Sequence, residues 1–323
     1  MPKARFLIVG CWVLVMTARC WGEDPPLGRS YGETSVAFAP NSEWVVTGGA
    51  DSMVRIRDAN EGELLATLVG HDRMVTAVAI SPDGQTIVSG SNDGSVRLWD
   101  VKSRAERRVL RAPEFTWGIS LAFAPDGQTI AAGSSDGRLR LWDVASGELK
   151  ASWKAGPRGM DVVVYTPDGR TIATVGEDRI VRFWDAQSHS LRRELPPMEK
   201  NLVRLAFSTD GSLLAVSSFN TILLLDAQTG KERSRLSGYL GSVRALAFTP
   251  DGGHLATGGS TTVCLNSTGT IVDQDAPRVL RQFPGPSCVA LAISHSGQKL
   301  ALCYLHMRDT GHASFEMLTL PSP

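Results

Sequence analysis

The 323-residue chain balances 33 Lys and Arg against 33 Asp and Glu, with 42% hydrophobic residues, 32 Gly and 17 Pro. Zero formal charge leaves no electrostatic footprint for a nucleic-acid partner, and 20% charged residues is too few for a disordered, solvated chain. The composition is that of a globular protein; domains of about 100–200 residues would give two, but closed β architectures run longer as one unit.

The N-terminus comes first. Lys3 and Arg5 precede an unbroken apolar run over residues 6–16, and small residues follow near Ala18 and Gly22. That is the layout of a secretory signal peptide. An uncleaved anchor is the alternative, although a membrane span needs about 20 apolar residues. Cys20 follows Arg19, where a lipidated cysteine would follow a small residue. The expected division is a signal peptide over residues 1–22, a lead-in over 23–33 and one domain over 34–323. Cleavage after Gly22 removes Lys3, Arg5 and Arg19 and no acid, taking the net charge to −3. It leaves Cys264, Cys288 and Cys303, and three thiols in an exported chain do not make a disulfide framework.

A repeat fills the rest of the chain. Ser81 begins SPDGQTIVSGSNDGSVRLWD, Ala124 begins APDGQTIAAGSSDGRLRLWD and Thr166 begins TPDGRTIATVGEDRIVRFWD. Weaker copies begin at Ala39, Ser208, Thr249 and Ser294, giving seven. Equivalent turn positions, Pro40, Pro82, Pro125, Pro167, Thr209, Pro250 and His295, are 42, 43, 42, 42, 41 and 45 residues apart. Each copy predicts four short strands. Residues 75–80 are β-branched and alternate; Pro82-Asp83-Gly84 turns the chain; residues 86–90 and 96–99 form a hairpin about Asn92-Asp93-Gly94. A fourth, more polar strand is expected over residues 64–68, 148–153, 191–195 and 232–236.

The period and the dipeptides Trp99-Asp100, Trp142-Asp143 and Trp184-Asp185 resemble the WD-repeat family, with Arg57-Asp58 and Leu225-Asp226 as degraded forms. The resemblance implies an all-β, seven-bladed β-propeller of four-stranded antiparallel blades. Blades are expected near 34–68, 75–111, 117–153, 160–196, 202–236, 243–283 and 288–320. It also implies a buried bracing network, complete in the second blade alone as His71, Ser89, Asp93 and Trp99. Asp51, Asp136 and Asp178 keep the turn carboxylate without a His, so those blades are expected to rely more on apolar packing between sheets. Arg55, Arg97, Arg140 and Arg182 recur at one position per blade, expected with packed stems and heads at the sheet surface. In many such propellers the N-terminal segment supplies the outer strand of the last blade. Here that segment would be residues 21–26, whose Pro25-Pro26 pairs poorly, so a three-stranded or loosely completed seventh blade is expected.

Little chemistry stands out. Gly133-Ser134-Ser135-Asp136-Gly137 has the spacing of a nucleophile elbow, but it joins two strands where the elbow needs a strand and a helix. His306 and His312 have no partner at zinc-like spacing, no phosphate loop precedes a helix, and Glu177-Asp178 belongs to a repeated turn. No catalytic residue, cofactor or metal is assigned. Asn266-Ser267-Thr268 fits a glycosylation sequon and is left unassigned. Cys288 and Cys303 flank a turn whose glycine bulge sets them on different faces, so reduced thiols are expected.

The resemblance further implies a partner surface where the first strands begin and the second turns end. Matching positions are Met74, Thr76 and Asn92; Trp117, Ile119 and Ser135; Asp161 and Glu177; Asn201, Val203 and Phe219; and Ser242 and Arg244. Trp117 and Phe219 stand where other copies carry small or polar residues. Two functions follow as expectations. The first is an exported, non-catalytic, monomeric platform for a protein or peptide, without a stable membrane span, similar to envelope proteins of repeat-rich bacteria. The second, a propeller enzyme or small-ligand protein using the central channel, needs a convergent polar cluster that the sequence does not identify.

Overall fold

The structure is a computed structural model that describes residues 32–112, 117–157, 159–198, 203–239, 241–260, 262–268, 278–282, 287–305 and 315–320. The expected signal peptide and the expected closing segment at residues 21–26 lie outside the described residues, as do His306 and His312.

Seven antiparallel sheets form a ring, each a simple meander in chain order. Blade 1 spans residues 33–68, blade 2 75–110, blade 3 120–154, blade 4 160–194, blade 5 203–236, blade 6 243–282 and blade 7 287–319. Six blades have four strands; blade 7 has three among the described residues. None of the described residues forms a helix long and apolar enough to cross a membrane.

The strand gradient follows from polarity. First strands such as Val75–Ile80 are buried at every position because they are sandwiched between neighbouring blades. Fourth strands such as Glu106–Leu110 carry the charge and face water, which blunts the outer edges against pairing with other chains.

Adjacent blades are spaced by two glycine positions. In the Pro-Asp-Gly turn, Gly84 has φ +70° and Gly127 φ +71°, which the turn requires. A Cβ on Gly84 would lie 3.5 Å from Pro40 of blade 1, and one on Gly127 3.3 Å from Pro82 of blade 2. These turns, and likewise those at Gly169, Gly211 and Gly297, rest on the proline of the blade before them; Gly252 follows a blade with Thr209 in that place. On the second strand, Gly90 admits Ile119 from the next blade: a Cβ there would stand 2.6 Å from Ile119 Cγ2. Gly48, Gly133 and Gly258 make the same room for Val75, Met160 and Cys288.

Hydrogen bonds lace the first strands as well. The Thr34 hydroxyl donates to the Val75 carbonyl at 2.5 Å, and the Thr76 hydroxyl donates to the Ile119 carbonyl at 2.8 Å. Ser35 and Ser120 Oγ accept from the Val78 and Val163 amides, each one blade on.

The ring closes by a local change of chemistry. At the seam, the turn proline is replaced by His295 and the turn glycine by Ser42, which holds φ +60°. The His295 amide, which a proline would lack, donates to Ser42 Oγ at 2.9 Å. Blade 1 also meets blade 7 through Arg57, which pairs with Glu33 at 2.7 Å and lies over the Phe315 ring at 5.2 Å. A buried apolar cluster joins Val36, Phe38 and Val45 to Val289, Leu291 and Leu302 across the same seam. Side chains thus close the ring from the first to the third strands of the two blades.

Gly90→Ala should lower the unfolding free energy by about 1–3 kcal/mol, because the added methyl displaces Ile119. Chemical denaturation measures this, with Gln85→Ala at an exposed turn position as the control, which should change stability by less than about 0.5 kcal/mol.

Candidate functional site

The second turn of each blade lies at one end of the ring, beside the start of the first strands. In blade 2 it carries Asp93, whose acceptors are fully used. His71 Nδ1 donates to Asp93 Oδ2 at 2.9 Å, while the Ser95 amide and hydroxyl donate to Oδ1 and the Asp72 amide to Oδ2. On the other ring nitrogen, Ser89 Oγ lies 2.7 Å from His71 Nε2 and accepts from Trp99 Nε1 at 2.8 Å. Donors run one way: indole to serine, serine to imidazole, imidazole to carboxylate, with the imidazole proton on Nδ1. Burial works against the Asp93 charge, but the hydrogen bonds from His71 and Ser95 outweigh it and hold the carboxyl far below the usual carboxylate range. The structure thus brings together all four residues of the expected bracing network.

Blades 1, 3 and 4, which keep the turn carboxylate without a His, use arginine. Arg55 pairs with Asp51, Arg140 with Asp136 at 2.5 Å and Arg182 with Asp178 at 2.7 Å. Arg140 also donates to Ser134 Oγ at 3.1 Å. This corrects two expectations. The head of Arg140 is buried rather than at the sheet surface, the side chain being 2% exposed, and those of Arg55 and Arg182 are half-buried against their turns; an ion pair, rather than apolar packing alone, replaces the missing network. Asp136 is held below its ordinary range: burial opposes its charge, and the bonds from Arg140 and Ser134 prevail. In blade 2, where His71 occupies the carboxylate, Arg97 turns to Glu106 of the fourth strand.

The Asp that ends the third strand, in the Trp-Asp pairs and after Leu225 alike, has a separate task. Asp100 accepts from the Ser103 amide at 2.7 Å, Asp143 from Ser146 at 2.8 Å, and Asp226 from Thr229 at 2.8 Å. Each carboxylate caps the turn into the fourth strand and is held below the usual range, Asp100 and Asp143 chiefly by the bonds from Ser103 and Ser146, and Asp226 first by the Arg233 guanidinium and then by Thr229.

The expected partner surface divides in two. Thr76 and Ile119 are fully buried, one bonded to the next blade and the other seated against Gly90; Met74 and Ser242 are buried too. These four side chains are not available to a partner. The resemblance placed them on the partner surface, but neighbouring blades cover both faces of a first strand and the residue that leads into it. Asn92, Ser135, Asp161, Glu177 and Arg244 are half-buried along the rim. Asn92 Oδ1 accepts from the Gly118 amide at 2.9 Å and Ser135 O from the Gly159 amide at 3.0 Å, so second turns are tied to the next blade. Val203 begins a first strand opposite Ser218, and Asn201 lies outside the described residues. Trp117 is 49% exposed and Phe219 40%. Phe219 holds φ +56°, an uncommon conformation for a bulky side chain, and its carbonyl accepts from the Val243 amide at 2.6 Å.

The remaining motifs resolve as structure. Ser134 donates to Asp136 at 2.6 Å within a strand-to-strand turn. The Asn266 amide is buried and donates to the Leu255 carbonyl at 3.0 Å, closed to glycosylation in the fold. Cys264, Cys288 and Cys303 are free and buried; Cys288 pairs across the hairpin with Tyr304 and Cys303 with Ala290. Burial pushes the Cys288 thiol up to about 12.

The profile of the WD domain, G-beta repeat, matches residues 31–58, 62–100, 107–143, 154–185 and 230–266, more than half of the chain. The chain belongs to the WD-repeat family. A search of curated proteins finds no match. The matched stretches take in WD repeats 1–4 and most of repeat 6. The first three strands of repeat 5 fall between them, where Leu223 and Leu225 replace the arginine and tryptophan of repeats 2–4.

Asp93→Ala in this WD-repeat chain should cost about 2–3 kcal/mol at pH 7, since it strands several buried donors. The depressed carboxyl contributes stability that is complete above the unfolded-chain value of about 3.9 and fades as pH falls toward the lower folded value. Urea unfolding of both proteins should therefore show their difference shrinking between about pH 4 and pH 3.

Proposed function

We propose that this chain is an exported, non-catalytic and monomeric WD-repeat platform that binds a protein or peptide through the end of the ring carrying Trp117 and Phe219. The observation that carries the reading is the exposure of these two large aromatics on one rim, where buried pairs and turn-to-turn hydrogen bonds hold the backbone rigid. Aromatic anchors on a fixed frame bind at low entropic cost and dominate interface energetics once desolvated. The unfavourable backbone of Phe219 adds support, because strain at an exposed side chain is retained where presentation of that side chain matters. WD-repeat propellers commonly mediate protein–protein interaction. Export rests on the cationic and apolar layout of residues 1–22.

The test is affinity capture from the envelope fraction of the exporting cell, with Trp117→Ala and Phe219→Ala as companions to the parent. Both substitutions are at exposed sites and should shift stability by less than about 0.5 kcal/mol. Each should reduce recovery of the partner at least about tenfold, as expected for an anchor worth about 1.4 kcal/mol or more. Full retention by both variants would contradict the proposal.

A further inference from the structure

The repeats act as one another's reference, and blade 5 departs from them in a concerted way. Strand register puts Trp99, Trp142 and Trp184 opposite Ile87, Ile130 and Ile172; the equivalent pair in blade 5 is Leu225 and Leu214. Arg97 and Arg182 stand opposite Ser89 and Thr174; in blade 5, Leu223 stands opposite Val216. The second turn is a residue shorter and has no carboxylate, running from Ser218 through Phe219 and Asn220 to Thr221. An indole, its hydroxyl acceptor, a guanidinium and its carboxylate have all gone. Two leucines and a valine do not replace their volume. A cavity of about 300 Å³ remains between blades 4 and 5, lined by Leu195, Pro197, Met198, Leu223 and Leu225, with Asn220 at its edge.

Three other blades lack the tryptophan: in blade 7 the position is Leu318, opposite Leu300 and packed on the apolar cluster of the seam, and the other two receive a ring from elsewhere in the chain. In blade 6 the position is Asn266, and Tyr239 from the preceding connection is buried in the cluster containing Cys264, with its hydroxyl beside Thr257 and Asn266. In blade 1 the position is Arg57, which lies over Phe315 of blade 7. The connection into blade 5 offers Pro196, Pro197 and Met198 instead, and no aromatic lines the cavity among the described residues. The only charged lining groups, Glu232 and Arg235, neutralise each other through two hydrogen bonds of 3.0 Å. The space therefore matches an uncharged ring.

We propose that the cavity between blades 4 and 5 is a socket for one aromatic side chain of a partner peptide, entered beside Phe219. It rests on the reading of this end of the ring as a protein-binding surface and names the partner's chemistry: an exposed Trp, Tyr or Phe. The Ser218–Thr221 turn both presents Phe219 and borders the socket, so a bound peptide would cover the first while inserting a ring into the second. Asn220 and Thr221 give the polar end of a Trp or Tyr somewhere to bond.

The test uses the full chain and N-acetyl-L-tryptophanamide as probe, with N-acetyl-L-lysinamide as the charged comparison. The tryptophan probe should bind saturably with a Kd of about 0.1–1 mM, with intermolecular NOEs to the methyls of Leu223 and Leu225; the lysine probe should bind at least about tenfold more weakly. Leu225→Trp with Val216→Thr restores the repeat's own ring and its acceptor, and Met198→Tyr plugs the socket from the connection as Tyr239 does in blade 6. Either plug, in protein that melts no lower than the parent, should weaken the tryptophan probe at least tenfold. Absence of saturation, NOEs confined to other residues, or unchanged affinity in a folded plugged variant would each overturn the socket. Partner capture that survives the plugs but is lost in Phe219→Ala would overturn the socket while leaving the binding surface standing.

Discussion

A carboxylate buried beneath a turn must be paired, and much of this propeller is arranged around that requirement. The turn between the second and third strands needs a group that can accept backbone N–H bonds and fix its shape. Asp supplies it in blades 1–4, at Asp51, Asp93, Asp136 and Asp178, and each then needs a donor from within the sheet stack. Blade 2 uses His71, reached from the preceding connection, and extends the chain of donors to Ser89 and Trp99. The others use an arginine four residues on, which the antiparallel hairpin swings back over the turn. Either solution fixes the rim on which Trp117 stands. Blade 5 gives up carboxylate and donor together, and the same rim there carries Phe219 and opens into a cavity.

Between blades, the controlling quantity is distance. Prolines under turn glycines and first-strand side chains seated in second-strand glycines set the spacing along both ends of the wedge. Two contacts depart from this: between blades 5 and 6 the proline is replaced by Thr209, and at the seam the two residues that would have met as proline and glycine are His295 and Ser42 and form a hydrogen bond. Arg57, Glu33 and Phe315 add an ion pair and a cation–ring contact at the same boundary. The inner part of the ring is thus continuous across a blade that has three strands among the described residues.

Much of this was legible in the sequence because the repeat is local. Turn residues at fixed offsets and alternating β-branched runs placed most strands to within a residue or two: the strand read over residues 75–80 is Val75–Ile80, and the fourth strand read over 232–236 is Glu232–Leu236. What escaped depends on contacts between repeats. Thr76 lies in a first strand and Met74, Ile119 and Ser242 just before one, and the neighbouring blades bury all four. The arginines recur plainly, yet only the geometry of the hairpin shows that they reach the turn carboxylates. A readable signal did exist: the arginine is present in all four repeats that keep the Asp and absent from repeats 5 and 6. In repeat 5 the sequence shows four substitutions without showing that they enclose one space.

The central claim, that arginine and turn carboxylate act as one unit in place of the histidine network, is tested most directly by a double-mutant cycle on Arg140 and Asp136. Urea unfolding of Arg140→Met, Asp136→Ala and the double variant at pH 7 should give a coupling energy of at least about 1 kcal/mol, with the double variant losing less than the two single losses combined. Additive losses, within about 0.5 kcal/mol, would contradict it.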